Sequence, residues 1–113
     1  MAIPPDQLAV ATDALTAFCA QVPERVRHLV EHTFRVEAQA IVLVSRHRRS
    51  GKDSEWMDED VAKFRFFKSR EEWDLYWSDR NSRWRLYEWV RPAKRFATLL
   101  KEVERDPTHL FWG

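Results

Sequence analysis

Between Phe64 and Trp89 large apolar side chains alternate with charged ones, through Trp73-Asp74-Leu75-Tyr76-Trp77 and again through Arg83-Trp84-Arg85-Leu86-Tyr87. Side chains on a strand point to opposite faces with period two, so such a stretch makes strands of a sheet buried on one side. Cross-strand partners must share a face. Under an even-length loop Trp77 lies opposite Trp84 and Leu75 opposite Leu86. That centres a turn on Arg80-Asn81, inside Asp79-Arg80-Asn81-Ser82, where Asp and Asn tolerate turn conformations. An odd loop would set Trp77 against Arg83 and mix the faces. The preceding strand fits the same scheme, with Phe64 opposite Leu75, Phe66 by Trp73 and Ala62 by Trp77. Its other face then pairs Arg65 with Asp74 and Lys63 with Tyr76. Such pairs contribute ~0.2–1 kcal/mol each, so the agreement of both faces weighs more than the energy. The expected ribbon packs Trp73, Trp77 and Trp84 against helices and turns Tyr76, Arg85 and Tyr87 outward. A helical rival exists, because Ser69-Arg70-Glu71-Glu72 matches a capping box ahead of Trp73, Tyr76 and Trp77. The matched register favours strands.

The flanking segments look built to cover that face. Pro4-Pro5-Asp6 opens a helix, with Asp6 a candidate cap, and Leu8, Ala11, Leu15, Phe18, Cys19 and Val22 form its apolar stripe before Pro23 closes it. Glu31 to Arg48 reads as a hairpin. A two-residue turn at Ala38-Gln39 opposes Val36 to Ile41, Phe34 to Leu43 and Glu31 to Arg46. Ala-Gln is poor chemistry for a tight turn that needs positive φ, which leaves a longer loop open. Val42 and Val44 fall on the outer face, where a helix or a second subunit would have to cover them. The basic run Arg46-His47-Arg48-Arg49-Ser50-Gly51-Lys52, followed by acidic Asp53, Glu55, Asp58, Glu59 and Asp60, reads as an exposed loop anchored by Trp56 and Met57. Its sharper alternative is a phosphate-contacting loop. Gly51-Lys52 is no P-loop, lacking the upstream glycine and the hydroxyl residue after lysine. Pro92 opens a second helix, striped by Phe96, Leu99, Leu100 and Val103 and ended by Asp106-Pro107. The tail through Phe111-Trp112-Gly113 is too apolar to hang free, and burying its two rings would stabilise by ~2–3 kcal/mol each.

With 113 residues the chain suits one domain, 1–113, of the α+β class: an N-terminal helix, an antiparallel sheet of about five strands in hairpins, and a C-terminal helix with a docked apolar tail. Six tryptophans against two glycines argue against disorder. Nineteen basic and eighteen acidic side chains leave a net charge of +1, without the global signature of a nucleic-acid binder. The lone Cys19 excludes an internal disulfide and a cysteine-based zinc site. It reads as a buried inert thiol, since no neighbour in sequence supplies a base. No apolar run approaches a membrane span, and no secretory signal stands at the N-terminus, so the cytoplasm is the expected compartment.

Several of these stretches together resemble a known family. They are Val61-Ala62-Lys63-Phe64-Arg65-Phe66, the run from Trp73 through Leu75-Tyr76-Trp77 to Asp79-Arg80-Asn81, the pair Trp84 and Tyr87, and the closing Phe111-Trp112-Gly113. Glu55-Trp56 and Phe34-Arg35-Val36-Glu37 fit the same pattern. The combination is similar to the domain of unknown function 3024 family of small bacterial proteins, from about Pro23 onward. Ala38-Gln39 departs from it, since a glycine is expected at that hairpin. The resemblance implies one α+β domain and brings no activity with it.

Three constellations bear on function. His28-Leu29-Val30-Glu31-His32 matches the inverted zinc-protease pattern, but two histidine ligands four apart need a helix. On the strand expected here His28 and His32 would stand about 13 Å apart. They are weak metal candidates; no metal or cofactor is expected, and zinc hydrolysis is the remotest reading. The outer sheet face gathers Lys63, Arg65, Tyr76, Arg85 and Tyr87, with Arg83 near the turn and Arg46 and Arg48 on the basic run. Interleaved arginines and aromatics serve single-strand nucleic-acid binders, which stack bases and hold phosphates. The plainer interpretation is a solvated face with arginine lying over rings. Thirdly, six tryptophans, outward valines and an apolar tail exceed what one small core needs, and Trp, Tyr and Arg dominate interface energies. A non-catalytic protein-interaction module, binding an unknown protein partner or a second copy of itself, is therefore the leading expectation. Nucleic-acid binding stands second.

Overall fold

A computed structural model describes residues 2–49 and 54–113 of the chain. Helix α1 spans Pro5–Cys19, followed by a short 3-10 turn at Glu24–Val26. Five strands come next: β1 Val30–Glu37, β2 Ala40–His47, β3 Met57–Phe67, β4 Glu72–Ser78 and β5 Trp84–Leu86. Helix α2, Phe96–Arg105, follows the sheet. The strands form one antiparallel meander in the order β1-β2-β3-β4-β5. Among the described residues no helix is long and apolar enough to cross a membrane.

The registers of the first three hairpin partners agree with the alternation. Val36 pairs with Ile41, Phe34 with Leu43 and Glu31 with Arg46, around a two-residue turn in which Ala38 takes φ 41°. The turn is thus as short as the pattern requires, and Ala38 carries the left-handed strain that a glycine would relieve. Phe64 pairs with Leu75, Phe66 with Trp73 and Arg65 with Asp74. The segment Glu72–Ser78 is a strand, not the helix that the capping-box pattern would have started.

Two features break the simple alternation. Between Leu43 and Val44 the β2–β3 register shifts, so that Leu43 pairs with Ala62 but Val44 with Asp60. Val61 is the extra residue of a bulge, and both Val61 and Ala62 are buried. The bulge puts Asp58 and Asp60 on the same face as Lys63 and Arg65, although their sequence parity differs.

The second break overturns an expectation. Ser78 pairs with Trp84, Trp77 with Arg85 and Tyr76 with Leu86, one residue away from the register that the even loop gives. The turn does sit at Asp79–Ser82, with the Ser82 N–H donating to the Asp79 carbonyl at 2.9 Å. But Ser82 adopts φ 59° and adds a third residue to the loop, as in hairpins that close through a left-handed bulge. The Asp79 carboxylate locks this form, accepting N–H bonds from Asn81 at 2.9 Å and Arg83 at 3.0 Å. Trp84 and Leu86 therefore move to the outer face, while Tyr87 turns inward and is 1% exposed.

Both helices cover the inner face. Ile41, Leu43, Phe64, Trp73 and Leu75 meet Ala11 and Leu15 of α1 and Phe96, Leu99 and Val103 of α2 in one core. Phe96 lies 4.6 Å from Phe64 and 5.1 Å from Trp73 between ring centroids. No side-chain cap starts α1; Pro4 holds that position rather than Asp6. Asp106 ends α2 in the left-handed conformation, φ 43°, and its buried carboxylate accepts the N–H of Phe111 at 3.1 Å and of Trp112 at 2.9 Å. The Trp112 indole N–H donates to the Val103 carbonyl at 2.9 Å, so the tail is docked by named bonds as well as by burial.

Candidate functional site

The outer sheet face takes its character from cross-strand neighbours. Arg35 stands opposite Val42 and Asp60 opposite Val44, yet Arg35 and Asp60 meet in a two-pronged ion pair at 2.8 and 3.0 Å. Since β2 runs between their strands, the Arg35 side chain must cross it, and its hydrocarbon stem lies over the valines. Val42 is 0% and Val44 5% exposed. No second subunit is needed to cover them, which removes the reason for a dimer across this face.

Arg46 and Arg70 on this face are also paired. Arg46 binds Asp58 at 2.9 Å and Glu31 at 3.3 Å, and Arg70 approaches Asp74 at 3.5 Å. Arg35 also contacts Glu37 at 2.6 Å, and the carboxylates around its guanidinium hold its proton more tightly than usual. On the strands, Arg35, Arg46, Lys63 and Arg65 face Glu31, Glu37, Asp58, Asp60, Glu72 and Asp74. The face is net acidic.

The residues nominated from sequence are divided among several places. Lys63, Arg65 and Tyr76 share the outer face, as expected. Lys63 reaches over the Trp84 ring at 5.9 Å, and burial pushes the Tyr76 phenol above its ordinary range. Arg46 lies on the same face but is tied to carboxylates. Arg48 stands beyond β2, donating to the His28 carbonyl at 2.6 Å and stacking over Trp56 at 4.4 Å. Arg83 is exposed beside the β4–β5 loop. Arg85 falls on the Trp77 side of the ribbon, correcting its expected outward direction, and binds Asp79 at 2.8 Å. Tyr87, expected outside, donates from its buried hydroxyl to Glu102 at 2.7 Å. Met57, expected as a loop anchor, is 60% exposed; the part of the basic run over residues 50–53 lies outside the described residues.

Sequence reasoning missed the cluster that replaces them. Trp84, Leu86, Tyr76 and Lys63 form a contiguous aromatic and aliphatic patch at the β4–β5 end of the open face, with Leu86 half exposed. Its signal was Ser82, which admits the left-handed third residue of the loop.

Among the concavities of the described residues, two differ sharply in lining. One of about 370 Å³ lies between the start of β3, the β4–β5 loop and the tail, and is lined by Asp58, Glu59, Asp60 and Asp79. Backbone N–H groups and Arg85 hold the Asp79 carboxyl below its usual range. The other, at the end of α1, is apolar and about 250 Å³. His32 stands at its wall, 6.0 Å from Phe18 and 4.9 Å from Trp112, and burial lowers its pKa. Cys19 and His32 line one neighbouring cleft, but burial pushes the thiol up to about 11, leaving it protonated at neutral pH. The helix required by the zinc-protease pattern is absent, since His28 lies in a turn and His32 in β1. Among the described residues no three metal-ligating side chains converge.

Residues 3–113 match the family described as Domain of unknown function (DUF3024), and the chain belongs to that family. The match extends the resemblance noted from Pro23 onward to include α1. No curated protein and no solved structure matches the chain.

Proposed function

We propose that this family member is a single-domain, non-catalytic, cytoplasmic interaction module, docking a protein partner on the β4–β5 end of its open sheet face. One observation carries this: the three-residue loop turns Trp84 and Leu86 out beside Tyr76 and Lys63, an apolar patch on a face whose middle is closed by the ion pairs of Arg35 and Arg46. Tryptophan and tyrosine supply large, rigid contact area, and centrally placed rings of this kind dominate interface energies. Lys63 and Arg65 beside the patch suit a partner that brings carboxylates to the rim of an apolar contact.

Nucleic acid is the second reading, favoured by Lys63, Arg65 and Tyr76 on one face. Against it stands the excess of carboxylates across the same strands, which repels phosphates. A photo-crosslinking amino acid at Leu86, expressed in the native cell, should yield a protein adduct that Trp84→Ala abolishes. The same probe at exposed Thr98 of α2 should not. Equal labelling from both positions would refute the proposal. Salt-sensitive binding of a single-stranded oligonucleotide by the purified protein, lost in Lys63→Ala, would establish the second reading instead.

A further inference from the structure

The β1 edge carries an inference independent of the open-face patch. The Arg48 N–H donates to the Leu29 carbonyl at 3.0 Å, in line with the β1–β2 register. Hydrogen-bonded pairs recur at every second residue of an antiparallel ladder, so Glu31, Thr33, Arg35 and Glu37 point their backbone groups at β2. Those of Val30, His32, Phe34 and Val36 point the other way, and among the described residues no hydrogen bond reaches them. This is an eight-residue edge without proline, lysine or bulge. Natural sheets usually blunt such an edge by one of those devices.

We infer that the edge pairs with β1 of a second copy of this chain, antiparallel about a two-fold axis at Thr33. Self-complementarity selects both partner and register. About Thr33, Glu31 lies opposite the partner's Arg35, and Val30 opposite the partner's Val36. An axis at Phe34 would set Glu31 against the partner's Glu37, and one at His32 would set Arg35 against the partner's Leu29. Of these three axes only Thr33 sets opposite charges at facing strand positions. On the inner face, Val36 is 49% exposed. In the dimer it arrives beside Val30, at the mouth of the apolar cleft walled by Val22, Pro23, Val26 and Phe18. The two meanders become one continuous sheet, and each open-face patch stays free at its far end.

Sedimentation of the full chain should give twice the 13.6 kDa protomer mass. Val36→Lys should abolish the dimer with an unchanged far-ultraviolet circular dichroism spectrum. At a non-hydrogen-bonded pair on the axis the Cα atoms stand about 4.5 Å apart, within disulfide reach. Thr33→Cys in a Cys19→Ser background should therefore oxidise to a covalent dimer, and Thr98→Cys should not. A wild-type monomer at every concentration would overturn the inference. So would a dimer that Thr33→Cys fails to lock, whatever Val36→Lys does to folding. Neither outcome bears on crosslinking from Leu86.

Discussion

If the Arg35 stem seals Val42 and Val44, then its hydrocarbon matters more than its charge. Truncation in Arg35→Ala opens one side of two valines that are now 0% and 5% exposed. Returning about half of two valine side chains to water costs roughly 1.5–2 kcal/mol. The ion pair itself contributes about 0–1 kcal/mol, because the Arg35 and Asp60 side chains are 46% and 37% exposed. Arg35→Met keeps most of the stem and loses only the charge, so it should cost under about 1 kcal/mol. In urea, with a slope of about 1–3 kcal/mol per molar for a chain of this size, the Ala variant should unfold roughly 1 M earlier. The Met variant should shift by less than half as much. Only Arg35→Ala should bind a hydrophobic dye before unfolding. Equal losses in the two variants would show that the charge pair holds the face; no loss in either would mean that other side chains cover the valines.

Three further outcomes follow from the core and tail. Trp73 is fully buried and its indole N–H finds no acceptor among the described residues; Trp73→Phe loses packing but removes an orphan donor worth roughly 1–3 kcal/mol. It should therefore fall within about 1 kcal/mol of wild type by chemical denaturation, against roughly 3–5 kcal/mol for Trp73→Ala. Asp106→Asn keeps a residue that tolerates the left-handed cap but can accept only one of two N–H bonds cleanly. A loss of about 2 kcal/mol is expected, with faster amide exchange at Phe111 and Trp112, and protection equal to wild type would dismiss the capping role. Burial lowers the His32 pKa from 6.5, so the unfolded chain takes up its proton first as pH falls. The stability from neutral His32 is present above about 6.5 and is lost as pH drops through the lowered folded value; His32→Phe should flatten that part of the melting-temperature profile.

Much of the sheet was legible because period-two patterning fixes which residues share a face. Val36 with Ile41, Phe64 with Leu75 and Arg65 with Asp74 follow from the alternation alone. So do the stripes of the helices, where Leu15 and Leu99 are fully buried. What failed was parity at a loop. Alternation cannot choose between an even and an odd connection when Trp84, Leu86 and Tyr87 are all large. The decision lies in backbone chemistry, where Asp79 accepts two N–H bonds and Ser82 enters the left-handed region. The change from Asp58 and Asp60 to Lys63 and Arg65 was a readable sign of the bulge. The role of Asp106 was hidden, because a residue before proline also looks like a plain helix stop.

That single residue of loop length decides which surface the protein offers. Under the even register Tyr87 would have been solvated and Trp84 enclosed, leaving a flat field of arginine and tyrosine. In the observed register Tyr87 anchors the tail region, with its hydroxyl shared between Glu102 and Thr108. Its inward turn fixes Leu86 outward on the neighbouring position, so the exposed patch is coupled to the docking of α2. The middle of the face is closed by side chains that cross strands, and what it leaves open lies at its two margins. One margin offers side chains, at Trp84 and Leu86; the other offers unpaired backbone, along β1. As proposed, the two contacts would select partners by different physics, packing in one case and ladder formation in the other, and one chain would hold both at once.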